Sequence, residues 1–175
     1  EVVIVGLGVA DRFLAVRRER DRALTEARTL EELSERDALT GLLNRRALEA
    51  RFPVLRAEGF TAMAVIDVDK FKSVNDLHGH ATGDAVLKSV ANDLRRDDIN
   101  SLAFRMGGEE FVLLLRGMGA IERAEERRLA ITEEVARSGL VPEVVTASMG
   151  VVEVPHDALA DSSFDALYLR ADRLL

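Results

Sequence analysis

Apolar and polar positions along the chain divide it into segments of two periods. Phe60 to Val68 is apolar and β-prone, which predicts a buried strand ending in Asp67 and Asp69. Leu102 to Met106 and Phe111 to Leu115 read as two short strands, with Gly107-Gly108 as a tight hairpin turn between them. Val144 to Val154 predicts a further strand region. Helical spacing runs from Arg45 to about Leu55 behind Asn44 as cap, and from Ala85 to about Arg96 behind Asp84 as cap. Gly79 and Gly83 bracket a turn before the second of these. Ile121 to Arg137 and Phe164 to Leu175 complete the helices. Helices alternating with strands around one hairpin imply an α/β sandwich with a mixed or antiparallel sheet.

The first 36 residues differ from the rest. Val9, Phe13, Val16, Ala23, Ala27 and Leu30 fall at alternating spacings of three and four, and Arg20 fills the missing position. That is a heptad seam with a polar interruption, suited to a parallel two-stranded coil. A single amphipathic helix packed on its own domain is the other reading. Charged side chains occupy most remaining positions and leave little to bury, which favours a dimerising stalk at 1–36 ahead of a domain at 37–175. The apolar stretch Val2 to Ala10 is shorter than the ~20 residues a span needs, so any membrane contact is expected through upstream segments. It also lacks the basic lead and cleavage site of a signal peptide.

Charge and composition narrow the function. The net charge is −7 and there is no cysteine. An acidic balance argues against a nucleic-acid binder, because phosphate backbones call for a basic surface. The missing cysteines exclude disulfides and thiolate zinc sites. A nucleotide substrate stays compatible, provided a metal offsets its charge.

Two constellations carry chemistry. Asp67-Val68-Asp69 places carboxylates at the end of a buried strand, where they are costly unless solvated or metal-bound. Side-chain alternation is read here as turning the two acids to opposite faces, with Asp67 the hard-cation ligand and Asp69 structural. Gly107-Gly108-Glu109-Glu110-Phe111 combines two glycines that admit a close ligand with two acids. An exposed turn with solvated glutamates is the plain reading of that hairpin. Beside Asp67 on a neighbouring strand, Glu109 would complete an oxygen-rich Mg²⁺ site of the kind that uses one or two carboxylates plus substrate phosphates.

These residues stand in an ordered set of motifs. Asp37-Ala38-Leu39-Thr40-Gly41-Leu42-Leu43-Asn44-Arg45-Arg46 comes first, then Asp67-Val68-Asp69-Lys70-Phe71-Lys72-Ser73-Val74-Asn75-Asp76. Gly79-His80-Ala81-Thr82-Gly83-Asp84, the Gly107 to Phe111 hairpin and Ala147-Ser148-Met149-Gly150 follow. Together they resemble the GGDEF family of bacterial diguanylate cyclases in a GGEEF variant, over Ser34 to Leu175. The resemblance implies a palm-like nucleotidyl-cyclase fold, with a central, mostly antiparallel sheet flanked by helices and preceded by a long N-terminal helix. It implies condensation of two GTP into cyclic di-GMP, with Asp67, Glu109 and the Val68 carbonyl holding Mg²⁺ or Mn²⁺. Asn75 and Asp84 would bind guanine. The turn Lys70 to Lys72 would offer N–H groups and a cation to the phosphates, so Phe71 and Lys72 join the substrate residues with His80, and Gly108 leaves room for the nucleotide. Glu109 or Glu110 would assist deprotonation.

The resemblance also implies that two domains must face each other, as a homodimer through the N-terminal helix would arrange. It implies a cytoplasmic location, alone or as the cytoplasmic part of an inner-membrane sensor. Two departures stand out. The family's inhibitory Arg-x-x-Asp falls here on Asp98 and Ser101, so product inhibition there is not expected, and the Arg-x-x-Asp at Arg95 to Asp98 lies three residues too early. The last helix is expected to be cut short at Leu175, before the family's phosphate-contacting Lys and Arg. The rival function is an inactive domain that binds GTP or cyclic di-GMP and signals by contact; the presence of Asp67, both glycines and both glutamates favours the enzyme.

Three features are set aside. Val5-Gly6-Leu7-Gly8 imitates a dinucleotide fingerprint, but Asp11 takes the third glycine's place. His78 and His80 lack soft partner ligands for zinc, so a turn-stabilising role is favoured. The four methionines are core filler or loop residues.

Overall fold

A computed structural model describes residues 14, 17–20, 35–96, 99–154 and 163–175. The chain divides into two compact units, Glu1–Glu35 and Arg36–Leu175. In the first, Leu14 and residues 17–20 are helical and exposed. The seam residues Val9, Phe13, Val16, Ala23, Ala27 and Leu30, the apolar stretch 2–10 and Asp98 lie outside the described residues. Among the described residues no helix is long and apolar enough to cross a membrane.

The second unit runs β1 (Leu43–Asn44), α1 (Arg45–Ala57), β2 (Phe60–Val68), α2 (Phe71–His78), α3 (His80–Leu94), β3 (Ser101–Gly107), β4 (Glu110–Arg116), α4 (Ala120–Ser138), β5 (Ala147–Glu153) and α5 (Phe164–Asp172). The five strands form one sheet in the order β1-β3-β4-β2-β5. Among the described residues only β1 and β3 pair in parallel; the remaining ladders are antiparallel. The mixed, mostly antiparallel α/β sheet expected from the sequence is therefore present.

Strand alternation sorts the core into two layers. Ala64, Ile66, Val68, Phe111 and Leu113 face α2, α3 and α4, where they meet Val74, Val90 and Ile131. Met63, Val65, Val112 and Leu114 face α1 and α5, against Leu48, Phe52, Phe164 and Leu167. β2 is buried on both faces because α2, α3 and α4 cover one side of the sheet and α1 and α5 the other, which is why it reads as a continuous apolar run rather than an alternating one. Asn44 caps α1 as expected, its side chain accepting from the Ala47 N–H at 3.0 Å.

Two helical expectations are corrected. Phe71–His78 is a helix of its own, entered through Lys70 with φ 55°, where the sequence suggested only a turn. α3 begins at His80, not after an Asp84 cap, and Gly83 lies inside it. A Cβ on Gly83 would stand 2.0 Å from Asn75 Oδ1 and 3.1 Å from Phe71 Cζ, so this glycine serves the close approach of α2 to α3, not a turn. Gly150 has the same use on the other side of the sheet: a Cβ there would meet the Ala171 carbonyl oxygen at 1.9 Å.

Candidate functional site

The sheet brings the acidic residues of two sequence segments together. In register, Asp67 near the end of β2 lies opposite Glu110 at the start of β4, and opposite Ser148 on β5. The loop between β3 and β4 is Gly108-Glu109, one residue later than the glycine pair suggested, with Gly107 opposite Glu110. Gly107 and Gly108 take φ of 146° and 52°, backbone that side chains with a Cβ rarely adopt, so the turn can be this tight only with glycine. The Val68 N–H donates to the Glu109 carbonyl at 3.3 Å, stitching the turn to the end of β2.

Burial pushes the Asp67 carboxyl above the ordinary carboxylate range, and Glu109, Glu110 and Asp69 push it further. Like charges crowded at a half-buried strand end lower their energy by binding a cation. Oxygen donors of this hardness suit Mg²⁺ or Mn²⁺ rather than a soft metal. Among the described residues no group of three or more Asp, Glu or His side chains could hold an ion by itself. The residues present thus fit a divalent metal of the kind held by one or two carboxylates together with substrate phosphates.

Asp67 and Asp69 do not divide by face. They are two residues apart, and a period of two places such residues on the same side of a strand, so the expectation of opposite faces fails on its own geometry. What separates them is partnership. β2 ends at Val68, and Asp69 accepts from Thr146 Oγ1 at 2.5 Å and Ser148 Oγ at 2.6 Å. Burial raises its carboxyl, but these bonds and nearby Arg128 outweigh that and hold it below the ordinary value. Asp69 is tied into the β2–β5 junction.

The other expected substrate residues fall in two groups. Asn75 on α2 lies against Gly83 of α3, the residue that precedes the exposed Asp84. Phe71 and Lys72 open α2, whose first turn presents N–H groups without intrahelical acceptors. The Phe71 ring itself is core, at 7% exposure, which leaves only its backbone for a ligand, while Lys72 is exposed. Lys70 is the one non-glycine residue with positive φ among those described, a costly conformation placed directly after the acidic strand end. His80 is exposed at the start of α3. His78 is engaged elsewhere, with Nε2 2.7 Å from Glu143 Oε1, a link from α2 to the segment before β5.

Two participants escape a reading of the sequence alone. Arg105 donates through Nε and Nη2 to the Gly108 carbonyl at 3.2 and 2.7 Å, and through Nη1 to Asp37 Oδ1 at 2.8 Å. Asp37 also accepts from the Thr40 N–H and hydroxyl; these bonds and Arg105 overcome the effect of burial and lower its carboxyl. The hydroxyl of Tyr168, on α5, donates to Glu110 Oε1. Nothing local marks either contact; only the positions flanking the signature hairpin hint at Arg105.

Comparison with known proteins gives a consistent result. A family model described as "Diguanylate cyclase, GGDEF domain" matches residues 34–175. Diguanylate cyclase DgcM of Escherichia coli is 39% identical over 168 residues, 87% of this chain and 38% of that protein. Diguanylate cyclase VdcA of Vibrio cholerae is 37% identical over 149 residues, 79% of this chain and 42% of that protein. The chain thus spans about two-fifths of the length of these curated relatives. Among solved structures, the coiled coil and GGDEF domain of DgcB from Caulobacter crescentus, in complex with c-di-GMP, aligns with a TM-score of 0.75 at 27% identity. That alignment covers 94% of this chain and 91% of the other. Diguanylate cyclase SiaD from Pseudomonas aeruginosa, in complex with its activator SiaC, aligns with a TM-score of 0.67 at 34% identity, covering 93% and 66%.

Proposed function

The chain belongs to the GGDEF domain family, and from that premise we propose that it is a diguanylate cyclase, which condenses two GTP into cyclic di-GMP. The observation that carries the reading is the pairing of Asp67 with Glu110 across β2 and β4, with Glu109 in the adjoining turn. In each of two steps the 3′-oxygen of one GTP forms a bond to the α-phosphorus of the other. The bond from that phosphorus to the bridging oxygen breaks, and pyrophosphate leaves. Asp67, Glu109 and the Val68 carbonyl would hold Mg²⁺ or Mn²⁺, which when bound lowers the pKa of the attacking hydroxyl and neutralises charge on the leaving group.

The remaining work belongs to the chain. Asn75 and Asp84 offer a donor and acceptors to the guanine edge. The start of α2 directs backbone N–H groups and Lys72 toward the phosphates, a helix N-terminus being suited to anions. Gly108 keeps the turn low beneath the nucleotide. Glu109 or Glu110 accepts the hydroxyl proton, directly or through solvent.

Because each domain offers one such site, two must face each other. The heptad seam from Val9 to Leu30 is proposed as the stalk that pairs them, a reading supported by the coiled coil in the matched DgcB structure. Replacing Phe13 or Val16 by a charged residue should lower activity at low protein concentration and restore it at high concentration. Full activity at low concentration would remove the stalk from the account.

Incubation with GTP and Mg²⁺, followed by chromatography of the nucleotides, tests the function. Cyclic di-GMP from the wild type and none from Glu109→Ala is the expected result. Nucleotide binding without product from the wild type would instead make the domain a receptor.

A further inference from the structure

Glu110 and Glu109 are adjacent in sequence, yet their surroundings differ. Glu110 belongs to β4 and faces the α1/α5 layer, as Val112 and Leu114 do at the following alternate positions. Tyr168 stands in that layer, half-buried, and its hydroxyl donates to Glu110 Oε1. The ring is held in place from behind. Its centroid lies 5.6 Å from that of Phe164, which in turn packs edge-on against Phe52 at 5.6 Å. A phenol anchored by an aromatic ladder has little rotamer freedom left, so it defines where its carboxylate partner sits.

We propose that Tyr168 is a positioning residue of the active site: its hydroxyl fixes the Glu110 carboxylate beside Asp67, so that the paired negative charge is already in place when a divalent cation arrives. The inference rests on the cyclase reading above and deepens it. Glu109 lies in the turn between β3 and β4, whereas Glu110 is held by α5. A helix far along the chain thereby sets the geometry of the signature hairpin. Partners that orient ligating carboxylates typically change metal affinity by about 10–100-fold when removed; Glu110, opposite the ligand Asp67 in the ladder, acts one step further out, at the low end of that range.

The chain offers a direct probe of the contact. Tyr168 is its only tyrosine and there is no tryptophan, so emission excited in the tyrosine band, where phenylalanine does not absorb, comes from this ring. A carboxylate accepting from the phenol quenches that emission. Glu110→Gln in the full chain, without nucleotide, should raise it, and Glu109→Gln should leave it unchanged. Equal emission from wild type and Glu110→Gln would overturn the proposal.

The functional arm is Tyr168→Phe, which keeps the ring and removes the donor. The Mg²⁺ concentration for half-maximal cyclic di-GMP formation should rise about tenfold, with the rate at saturating Mg²⁺ and the KM for GTP there changed by no more than about twofold. A loss of rate equal at every Mg²⁺ concentration would assign Tyr168 a packing role only and overturn the proposal. If the wild type forms no cyclic di-GMP, it is the cyclase reading that fails. The emission comparison then still decides whether Tyr168 holds Glu110.

Discussion

Arg105 joins Asp37 to the signature turn: its Nη1 lies 2.8 Å from Asp37 Oδ1, while Nε and Nη2 donate to the Gly108 carbonyl. Asp37 stands at the beginning of the second compact unit, next after Arg36. The guanidinium thus spans the point where the chain enters the domain and the turn that carries Glu109. A lysine keeps the charge but has no planar fork to serve both partners. Arg105→Lys should cost about 1.5 kcal/mol of stability, the equivalent of one charge-assisted hydrogen bond, and reduce cyclic di-GMP formation as the turn loosens. Unchanged turnover would show that the turn holds its shape without this link.

Gly83 makes a sharper test of the proposed guanine binding by Asn75. An alanine Cβ would fall 2.0 Å from Asn75 Oδ1, so the Asn75 side chain must move. The helix itself should tolerate the change, since alanine is favoured over glycine in a helix interior by about 1 kcal/mol. Gly83→Ala should therefore raise the KM for GTP about tenfold, the loss of a hydrogen bond of about 1.4 kcal/mol, without a matching loss of stability. Steady-state kinetics beside thermal melting separates the two effects. An unchanged KM would take Asn75 out of substrate binding.

Gly150 is constrained by backbone instead. The atom its Cβ would meet is the Ala171 carbonyl oxygen, at 1.9 Å, which cannot swing away as a side chain can. Gly150→Ala must push α5 off the sheet and should destabilise the fold by about 2–3 kcal/mol in urea denaturation. It should also disturb the Tyr168–Glu110 contact, because that contact depends on the same helix.

These cases show where the sequence was legible. β2 and the hairpin strands could be read because burial on one or both faces writes itself into apolar spacing. Asp67 and Glu109 stand out in the sequence because they are chemically conspicuous, and the sheet brings Asp67 beside Glu110. α2 could not: it is eight residues long, carries no capping side chain and begins from a left-handed Lys70. β1, at two residues, is too short for any period to appear. Gly83 reads as a turn residue because a glycine used for close approach looks, in sequence, like one used for φ. Tyr168–Glu110 and Asp37–Arg105 are 58 and 68 residues apart, and only tertiary packing joins them.

Asp93 gives a pH-dependent prediction. Its side chain is fully enclosed; Arg96 Nη2 is 2.8 Å from Oδ1, yet neither oxygen has a well-directed hydrogen bond. Burial raises its carboxyl above 3.8, helped by Glu134 and opposed by Arg96, Arg127 and Arg137. A raised folded-state value means the native protein binds the proton more tightly than the unfolded chain. Stability from this group is then greatest at low pH and falls as pH rises from 3.8 through the raised value. Asp93→Asn should melt about 2–4 °C above wild type at pH 7, a shift of about 1 kcal/mol in a chain of this size. The advantage should fade as pH falls toward 3.8, the ordinary carboxylate value. A variant less stable at pH 7 would mean that the Arg96 pairing outweighs the burial cost.

The most direct measurement of the central claim is the yield of pyrophosphate against cyclic di-GMP during turnover of GTP with Mg²⁺. Condensation through two 3′-oxygen attacks predicts two pyrophosphates for each cyclic di-GMP, released by the wild type and by neither Asp67→Asn nor Glu109→Ala. Release of inorganic phosphate in place of pyrophosphate, or retention of GTP with no release at all, would contradict the account and leave the Asp67–Glu110 cluster a nucleotide-binding site without this chemistry.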